Sequence, residues 1–167
     1  RIFTEKVLQV LGVSKEDSQI ITDVFIKADK RGIYTHGTGK LSSYIDRINA
    51  GVLNPVTRIE IGRETPVIAM INEHNSFGQV AAYRAMDIAI NKAKANGISM
   101  VLVNHSNHFG IASYYGLMAV KNNMIGIVQS NSSPGIAPYG AKEKLLGTNP
   151  ISVAVPSKKG FPIVLDM

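Results

Sequence analysis

Apolar positions recur with helical spacing over the first third of the chain. Ile2, Phe3, Val7, Leu8 and Leu11 predict a short helix ended by Gly12. Ser14 follows as an N-cap, with Asp17 at the capping-box distance. It opens a second helix whose apolar stripe is Ile20, Ile21, Val24, Phe25 and Ala28. A third helix is predicted from Thr35 to about Ala50, stopped by Gly51 and followed by Asn54-Pro55. At ~100° per residue, His36, Lys40, Tyr44 and Arg47 fall within about 80° of one another, and Leu41, Ile45 and Ile48 group on another side. One face of that helix should pack, and the other should present an imidazole, an ammonium, a phenol and a guanidinium.

The pattern then changes to strand and helix in alternation. Val67 to Ile71 reads as a strand, Asn75-Ser76 as caps, and Phe77 to about Asn96 as a helix ended by Gly97. Ile98 to Val103 reads as a buried strand, Gly110 to Lys121 as a helix, and Met124 to Gln129 as a second buried strand. That order predicts a βαβ unit in a parallel or mixed sheet. The Ser-, Pro- and Gly-rich segment from Asn131 to Pro150 is longer than most structural connections, which points to a functional loop. Ile151 to Val155 and Pro162 to Met167 read as strands around the turn Ser157 to Gly160. The expected fold class is α/β, with a helical N-terminal segment over residues 1–60. An α/β part over 61–167 would follow, built on a mixed β-sheet with flanking helices. The first residue is not Met and the last residues read as a strand in mid-course, so both ends are expected to continue.

Composition narrows the function. With 167 residues and 45% hydrophobic positions the chain can build a core, which excludes an intrinsically disordered segment. The absence of Cys excludes a disulfide scaffold, thiolate metal sites and a Cys nucleophile. No apolar run approaches the roughly 18 residues of a membrane helix, so a soluble, cytoplasmic protein with no membrane partner is expected. The net charge of +6 would suit nucleic acid, but Lys and Arg are scattered, with no run beyond pairs such as Lys158-Lys159. No nucleic-acid partner is therefore expected.

Two histidines sit where chemistry is expected. His108 follows the strand ending at Val103, just where a helix begins, and ligands of α/β sheets collect at the carboxyl ends of strands. Helix capping is the simpler role for either His105 or His108 taken alone. His36 opens the helix that carries Lys40, Tyr44 and Arg47; two cations on one face could hold a carboxylate or could simply be solvated. His105 and His108 form a His-x-x-His pair, but no carboxylate lies near in sequence and the His-Glu-x-x-His pattern is absent, so no metal site is expected. Gly37-Thr38-Gly39-Lys40 completes neither a dinucleotide fingerprint nor a P-loop. Ser132 and Ser133 lack the glycine elbow of a serine nucleophile and are of the size to cap a turn or touch a ribose or phosphate.

Four ordered motifs carry a resemblance. Ala28-Asp29-Lys30-Arg31-Gly32-Ile33-Tyr34-Thr35-His36-Gly37, then Tyr44 and Gly51, then Asn107-His108-Phe109-Gly110, then Leu146-Gly147-Thr148-Asn149-Pro150-Ile151 together resemble the malate/L-lactate dehydrogenase family. That group also holds ureidoglycolate, sulfolactate and 2,3-diketogulonate oxidoreductases. The resemblance implies a family-specific, non-Rossmann NAD(P)-binding fold and a homodimer. It also implies hydride transfer between NAD(P) and C2 of a small 2-hydroxy or 2-oxo acid such as malate or lactate. By the same resemblance His108 is the proton acceptor, with His36 as a second catalytic histidine. Lys40, Tyr44, Thr148 and Asn149 would bind substrate, and Ser132, Asp166 and Met167 would bind cofactor, NAD being preferred over NADP. Two positions depart from the family pattern: Thr35 stands where Ser is usual, and Lys40 where Arg is usual, which keeps the charge but loses the bidentate fork. Two other readings stand beside this one. The first is a metal-dependent hydrolase using His105, His108 and Asp166, and the second is a non-catalytic anion-binding module using Lys40 and Arg47.

Overall fold

A computed structural model describes all residues, Arg1–Met167, and they form two compact units, Arg1–Ile111 and Ala112–Met167. The first unit holds helices α1 (Ile2–Val10), α2 (Lys15–Lys30) and α3 (Leu41–Asn49), strands β1 (Glu60–Glu64) and β2 (Ile68–Asn72), helix α4 (Gly78–Asn96) and strand β3 (Met100–Asn104). The second holds helix α5 (Ala112–Val120) and strands β4 (Gly126–Gln129), β5 (Ile151–Val155) and β6 (Ile163–Asp166). Helices thus give way to strands at Glu60, whereas the packing division falls at Ile111/Ala112. The α/β class expected from the pattern is the one observed.

Local chemistry explains the first two helices. Gly12 takes a φ of +95° just beyond α1, and the Ser14 hydroxyl accepts the Asp17 N–H at 3.1 Å to cap α2. Such a cap contributes about 0.5–2 kcal/mol. Along α2 the buried apolar positions are Ile21, Val24, Phe25 and Ala28, and Phe25 joins Leu8, Val13, Ile21, Tyr44, Leu53, Phe77 and Val80 in one apolar cluster. Each large side chain there stabilises the unit by about 1.5–3 kcal/mol. In α1 only Leu8 and Thr4 are buried; Ile2 and Phe3 face solvent.

The third helix is shorter than its apolar spacing predicts. Two single 3₁₀ turns, Tyr34–His36 and Thr38–Lys40, precede α3, and the extended Gly37 separates them. The Asp29 carboxylate is the cause: its Oδ2 accepts both the Thr38 N–H at 3.1 Å and the Thr38 hydroxyl at 2.7 Å. A Cβ at Gly37 would lie 1.6 Å from Asp29 Oδ1, so only glycine admits this approach. Within α3 Tyr44 falls between the side of Leu41 and Ile48, which packs on the core, and the side of Lys40 and Arg47, and its ring turns into the core, stacked on Phe77 at 5.5 Å and tilted against Phe25 at 5.6 Å.

Strand pairing also differs from the expected βαβ order. β2 runs parallel to β3, from Ile68↔Met100 to Asn72↔Asn104, and α4 is the crossover between them. β1 pairs antiparallel with β2. β3 and β4, however, belong to separate three-stranded sheets, and β4, β5 and β6 are antiparallel throughout. Helix α5 packs on its own sheet because Gly116 and Gly126 let the two backbones approach; a Cβ on Gly126 would lie 2.4 Å from the Gly116 carbonyl. Nor are β3 and β4 buried on both faces as expected. Met100, Leu102 and Ile127 are exposed, since a three-stranded sheet with a helix on one face leaves the other open.

Candidate functional site

The segment after β3 carries His108, and it is fastened along its length. The Glu73 N–H donates to the Asn104 carbonyl at 3.2 Å, the Asn75 N–H to the His105 carbonyl at 2.7 Å, and Asn107 Nδ2 to the Ser76 carbonyl at 2.9 Å. His74, Asn75 and His105 all have φ between 48° and 59°, a concentration of left-handed residues of the kind found at functional sites. Two glycines make room: a Cβ on Gly78 would lie 2.1 Å from the Asn107 carbonyl, and one on Gly110, at φ +83°, 2.5 Å from Val24 Cγ1. The motif Asn107-His108-Phe109-Gly110 is therefore a loop pressed between α2 and the start of α4.

Around His108 the structure gathers residues from four segments. Tyr44 Oη lies 2.7 Å from His108 Nδ1 and 3.2 Å from the His108 carbonyl, and Gln79 Nε2 donates to the same Oη at 2.7 Å. The His36 ring lies 5.1 Å from the His108 ring, centroid to centroid, and His36 Nδ1 is 2.9 Å from the Thr35 hydroxyl. Arg47 donates to Asn107 Oδ1 at 2.6 Å, next to His108 in the chain. An open cleft of about 720 Å³ lies beside Arg47 and Asn107, bounded also by Asn54, His74 and Asn75; neither His36 nor His108 lines it.

The electrostatics follow from burial and neighbours. Burial of the imidazole, then its electrostatic interactions with His36, Lys40 and Arg47, push His108 down from 6.5 to about 4, so the ring is neutral at neutral pH and able to take a proton. Burial drives the Tyr44 phenol well above its ordinary range, against the pull of its Gln79 bond, so the hydroxyl stays protonated. Beneath the loop, Glu73 is fully buried, and burial lifts its pKa from 4.5 to about 7 against the lowering pull of the Ser106 side chain and the Asn107 backbone.

Of the residues expected from the sequence, His36, Tyr44 and His108 are thus brought together, and Lys40 lies close enough to act on the His108 charge. Tyr44 is buried with its hydroxyl engaged, a different setting from the open carboxylate clamp expected of it. In the second unit, Ser132, Thr148 and Asn149 form a cluster of their own. The Ser132 hydroxyl is 3.1 Å from that of Thr148, and the Ser132 N–H donates to Asn149 Oδ1 at 3.0 Å. Gly147 is needed there, since its Cβ would lie 2.3 Å from the Ser132 carbonyl. Asp166 Oδ2 accepts the Ser113 N–H at 3.2 Å, at the start of α5, and Met167 is exposed. Ser132 and Asp166 have the chemistry to meet a ribose or phosphate, but both already hold their own chain together and do not by themselves make a dinucleotide cradle. His105 and His108 are joined by no third His, Cys, Asp or Glu in a metal-holding group.

Sequence reasoning missed Gln79 and Glu73. A polar residue among Phe77, Val80 and Ala81 at the start of a helix was the available signal for Gln79. Nothing local distinguished Glu73 from an exposed carboxylate.

The chain is similar to known proteins along its whole length. The sequence profile of the malate/L-lactate dehydrogenase family matches residues 1–167. The chain is 49% identical over 165 residues to a malate dehydrogenase of Pyrococcus abyssi, covering 99% of this chain and 45% of that protein. It is 45% identical over 162 residues to a malate/(S)-sulfolactate dehydrogenase of Methanothermus fervidus, covering 97% and 48%. The solved structure of malate dehydrogenase from Pyrococcus horikoshii OT3 superposes with a TM-score of 0.94 at 47% identity, over 99% of this chain and 47% of that one. The chain belongs to the malate/L-lactate dehydrogenase family, and it spans about half the length of the curated relatives it matches. These relatives lend no support to the hydrolase or to the anion-binding module.

Proposed function

We propose that the protein is an oxidoreductase that moves a hydride between a nicotinamide cofactor and C2 of a small 2-hydroxy or 2-oxo acid such as malate or lactate. One observation carries this reading: a neutral imidazole, His108, is anchored through a buried phenol beside a second histidine and a cluster of cations. In acid oxidation His108 takes the hydroxyl proton as the C2 hydrogen leaves as hydride; in reduction the imidazolium returns it. Lys40, with His36 beside it, attracts the substrate carboxylate, and Tyr44 acts on the imidazole from beneath. Family resemblance supports Thr148 and Asn149 as substrate contacts, and Ser132, Asp166 and Met167 as cofactor contacts. It also supports NAD over NADP, a homodimer and a cytoplasmic location. When bound, the nicotinamide supplies the hydride acceptor.

The test is absorbance at the reduced-nicotinamide band, using the intact natural protein, NADH or NADPH, and oxaloacetate, pyruvate, 3-sulfopyruvate or 2,3-diketogulonate. Turnover of one acid is expected, and His108→Ala should lower it by roughly 10²–10⁴-fold with the fold retained. Silence with every acid and both cofactors would overturn the reading, and a folded His108→Ala protein of native turnover would remove that residue from it.

A further inference from the structure

Gln79 has no place in the reaction described so far, yet it is an unusual residue to bury. It is fully enclosed at the start of α4, among Phe77, Val80 and Ala81. Its Nε2 donates to Tyr44 Oη at 2.7 Å, and its Oε1 has no partner at all. An apolar side chain of the same length would fill the space without leaving a buried acceptor unpaired.

Counting hydrogens around Tyr44 Oη gives the residue a purpose. The phenol has one hydrogen and two lone pairs. Gln79 occupies one lone pair. The hydrogen is directed to the His108 carbonyl at 3.2 Å. With that hydrogen on the carbonyl, which can only accept, the remaining contact, 2.7 Å to His108 Nδ1, is one that the ring donates. Turning the Gln79 amide over leads to the same end: Oε1 would take the phenol's hydrogen, and the ring nitrogen would again be the donor.

We infer that Gln79 is a positioning residue which, through Tyr44, holds neutral His108 as its Nδ1–H tautomer and so keeps the Nε2 lone pair for the substrate. The inference rests on the dehydrogenase reading for its meaning but not for its geometry. In the oxidation direction the substrate O–H bond breaks and its proton passes to Nε2. The C2–H pair leaves as hydride to the oxidised nicotinamide, and the C2–O bond becomes a carbonyl. With Nδ1 unprotonated, Nε2 would already carry hydrogen and could accept nothing. Removing Gln79 frees the phenol hydrogen to turn towards Nδ1 and permits that inactive form. His108 is neutral near pH 7, so its tautomer is a defined property of the resting protein.

Nitrogen-15 NMR of histidine-labelled intact protein near pH 7 reads the tautomer without acid or cofactor, His108 being identified by the signal lost in His108→Gln. The expected result is Nδ1–H in the native protein and a shift towards Nε2–H in Gln79→Leu. Gln79→Glu, whose carboxylate would accept the phenol hydrogen, should retain Nδ1–H. In kinetics Gln79→Leu should lower kcat by about tenfold or more with the acid's KM changed by less than about twofold, and Gln79→Glu should recover much of the loss. A native Nε2–H tautomer, or a Gln79→Leu protein still wholly Nδ1–H, overturns the inference. Should Gln79→Leu not fold, Tyr44→Phe is measured in its place, with the same shift expected and the same overturning result. A protein that turned over no acid would still give the tautomer, so failure of the dehydrogenase reading and failure of this inference are separately visible.

Discussion

Tyr44 Oη and His108 Nδ1 stand 2.7 Å apart although the two residues are 64 positions apart in the chain. The bond ties the middle of α3 to the loop beyond β3, and the phenol ring that makes it is part of the core, stacked on Phe77. His108 is thus fixed by a side chain that cannot itself move without disturbing the packing. Positional precision at the site and stability of the first unit depend on the same residue.

Tyr44→Phe separates those two contributions. The ring and its stacking remain, but Gln79 Nε2 and His108 lose their common partner. Leaving a buried donor unsatisfied should cost about 1–3 kcal/mol. Chemical denaturation should show that loss, together with a fall in turnover. A Tyr44→Phe protein of unchanged stability would mean that the hydroxyl bonds contribute no net free energy.

Glu73→Gln tests the buried carboxyl. Its pKa is raised from 4.5 to about 7, so between those values the folded state holds a proton that the unfolded state has lost. Stability therefore falls as pH rises through this window, by about 3 kcal/mol in all. His108, whose folded pKa is lowered from 6.5 to about 4, acts with the opposite sign, and stability from it falls as pH drops through that range. Glutamine keeps the shape and removes only the first effect. The variant should match the native protein near pH 5 and exceed it near pH 8; equal pH profiles for the two would show that Glu73 ionises without penalty.

Much of this was legible beforehand, and the failures share a cause. The Ser14 cap, the stripe of α2 and the place of His108 after a strand depend on neighbours in sequence, and each was readable. Tyr44 was readable on the side of its helix that carries Lys40 and Arg47 but not as buried, because Phe25 and Phe77, which enclose its ring, come from other elements. The helix expected from Thr35 starts later because the Asp29 carboxylate, which interrupts it at Gly37, acts from the preceding element. β1 has one apolar residue, Ile61, and no alternation, so only its pairing with β2 reveals it. The assignment of β3 and β4 to different sheets depends on the partners β2 and β5, which no local pattern specifies. Gln79 and Glu73 look like surface residues until burial is known.

Gly78→Ala examines how tightly the His108 loop is seated. A methyl group there would lie 2.1 Å from the Asn107 carbonyl and 2.9 Å from that of His108, both backbone atoms. The loop must move, and relief of such overpacking usually costs 1–3 kcal/mol. Because Tyr44 also reaches the His108 carbonyl, displacement should lower turnover as well as the melting temperature. Gly32→Ala is the control: no atom lies within 4 Å of its added methyl, and φ +73° confines its cost to backbone strain. Equal turnover losses in the two variants would argue that the loop's seat is not what Gly78 protects.

Binding of an acid should itself be visible as proton uptake. His36, Lys40 and Arg47, after burial, hold the His108 pKa down to about 4. A carboxylate arriving beside Lys40 and Arg47 would cancel part of their field and let the imidazole pKa rise. Near pH 5 the complex would then bind more protons than the free protein, whereas near pH 8 both forms are neutral at His108 and uptake should vanish. Calorimetry of malate binding in two buffers of different ionisation enthalpy measures the difference, and His108→Gln should abolish it. Lys40→Ala should raise the KM for the acid by about tenfold while shrinking the uptake, because one of the cations to be cancelled has gone. Binding without uptake at the lower pH would place the acid away from His108 and remove the carboxylate from the neighbourhood of Lys40.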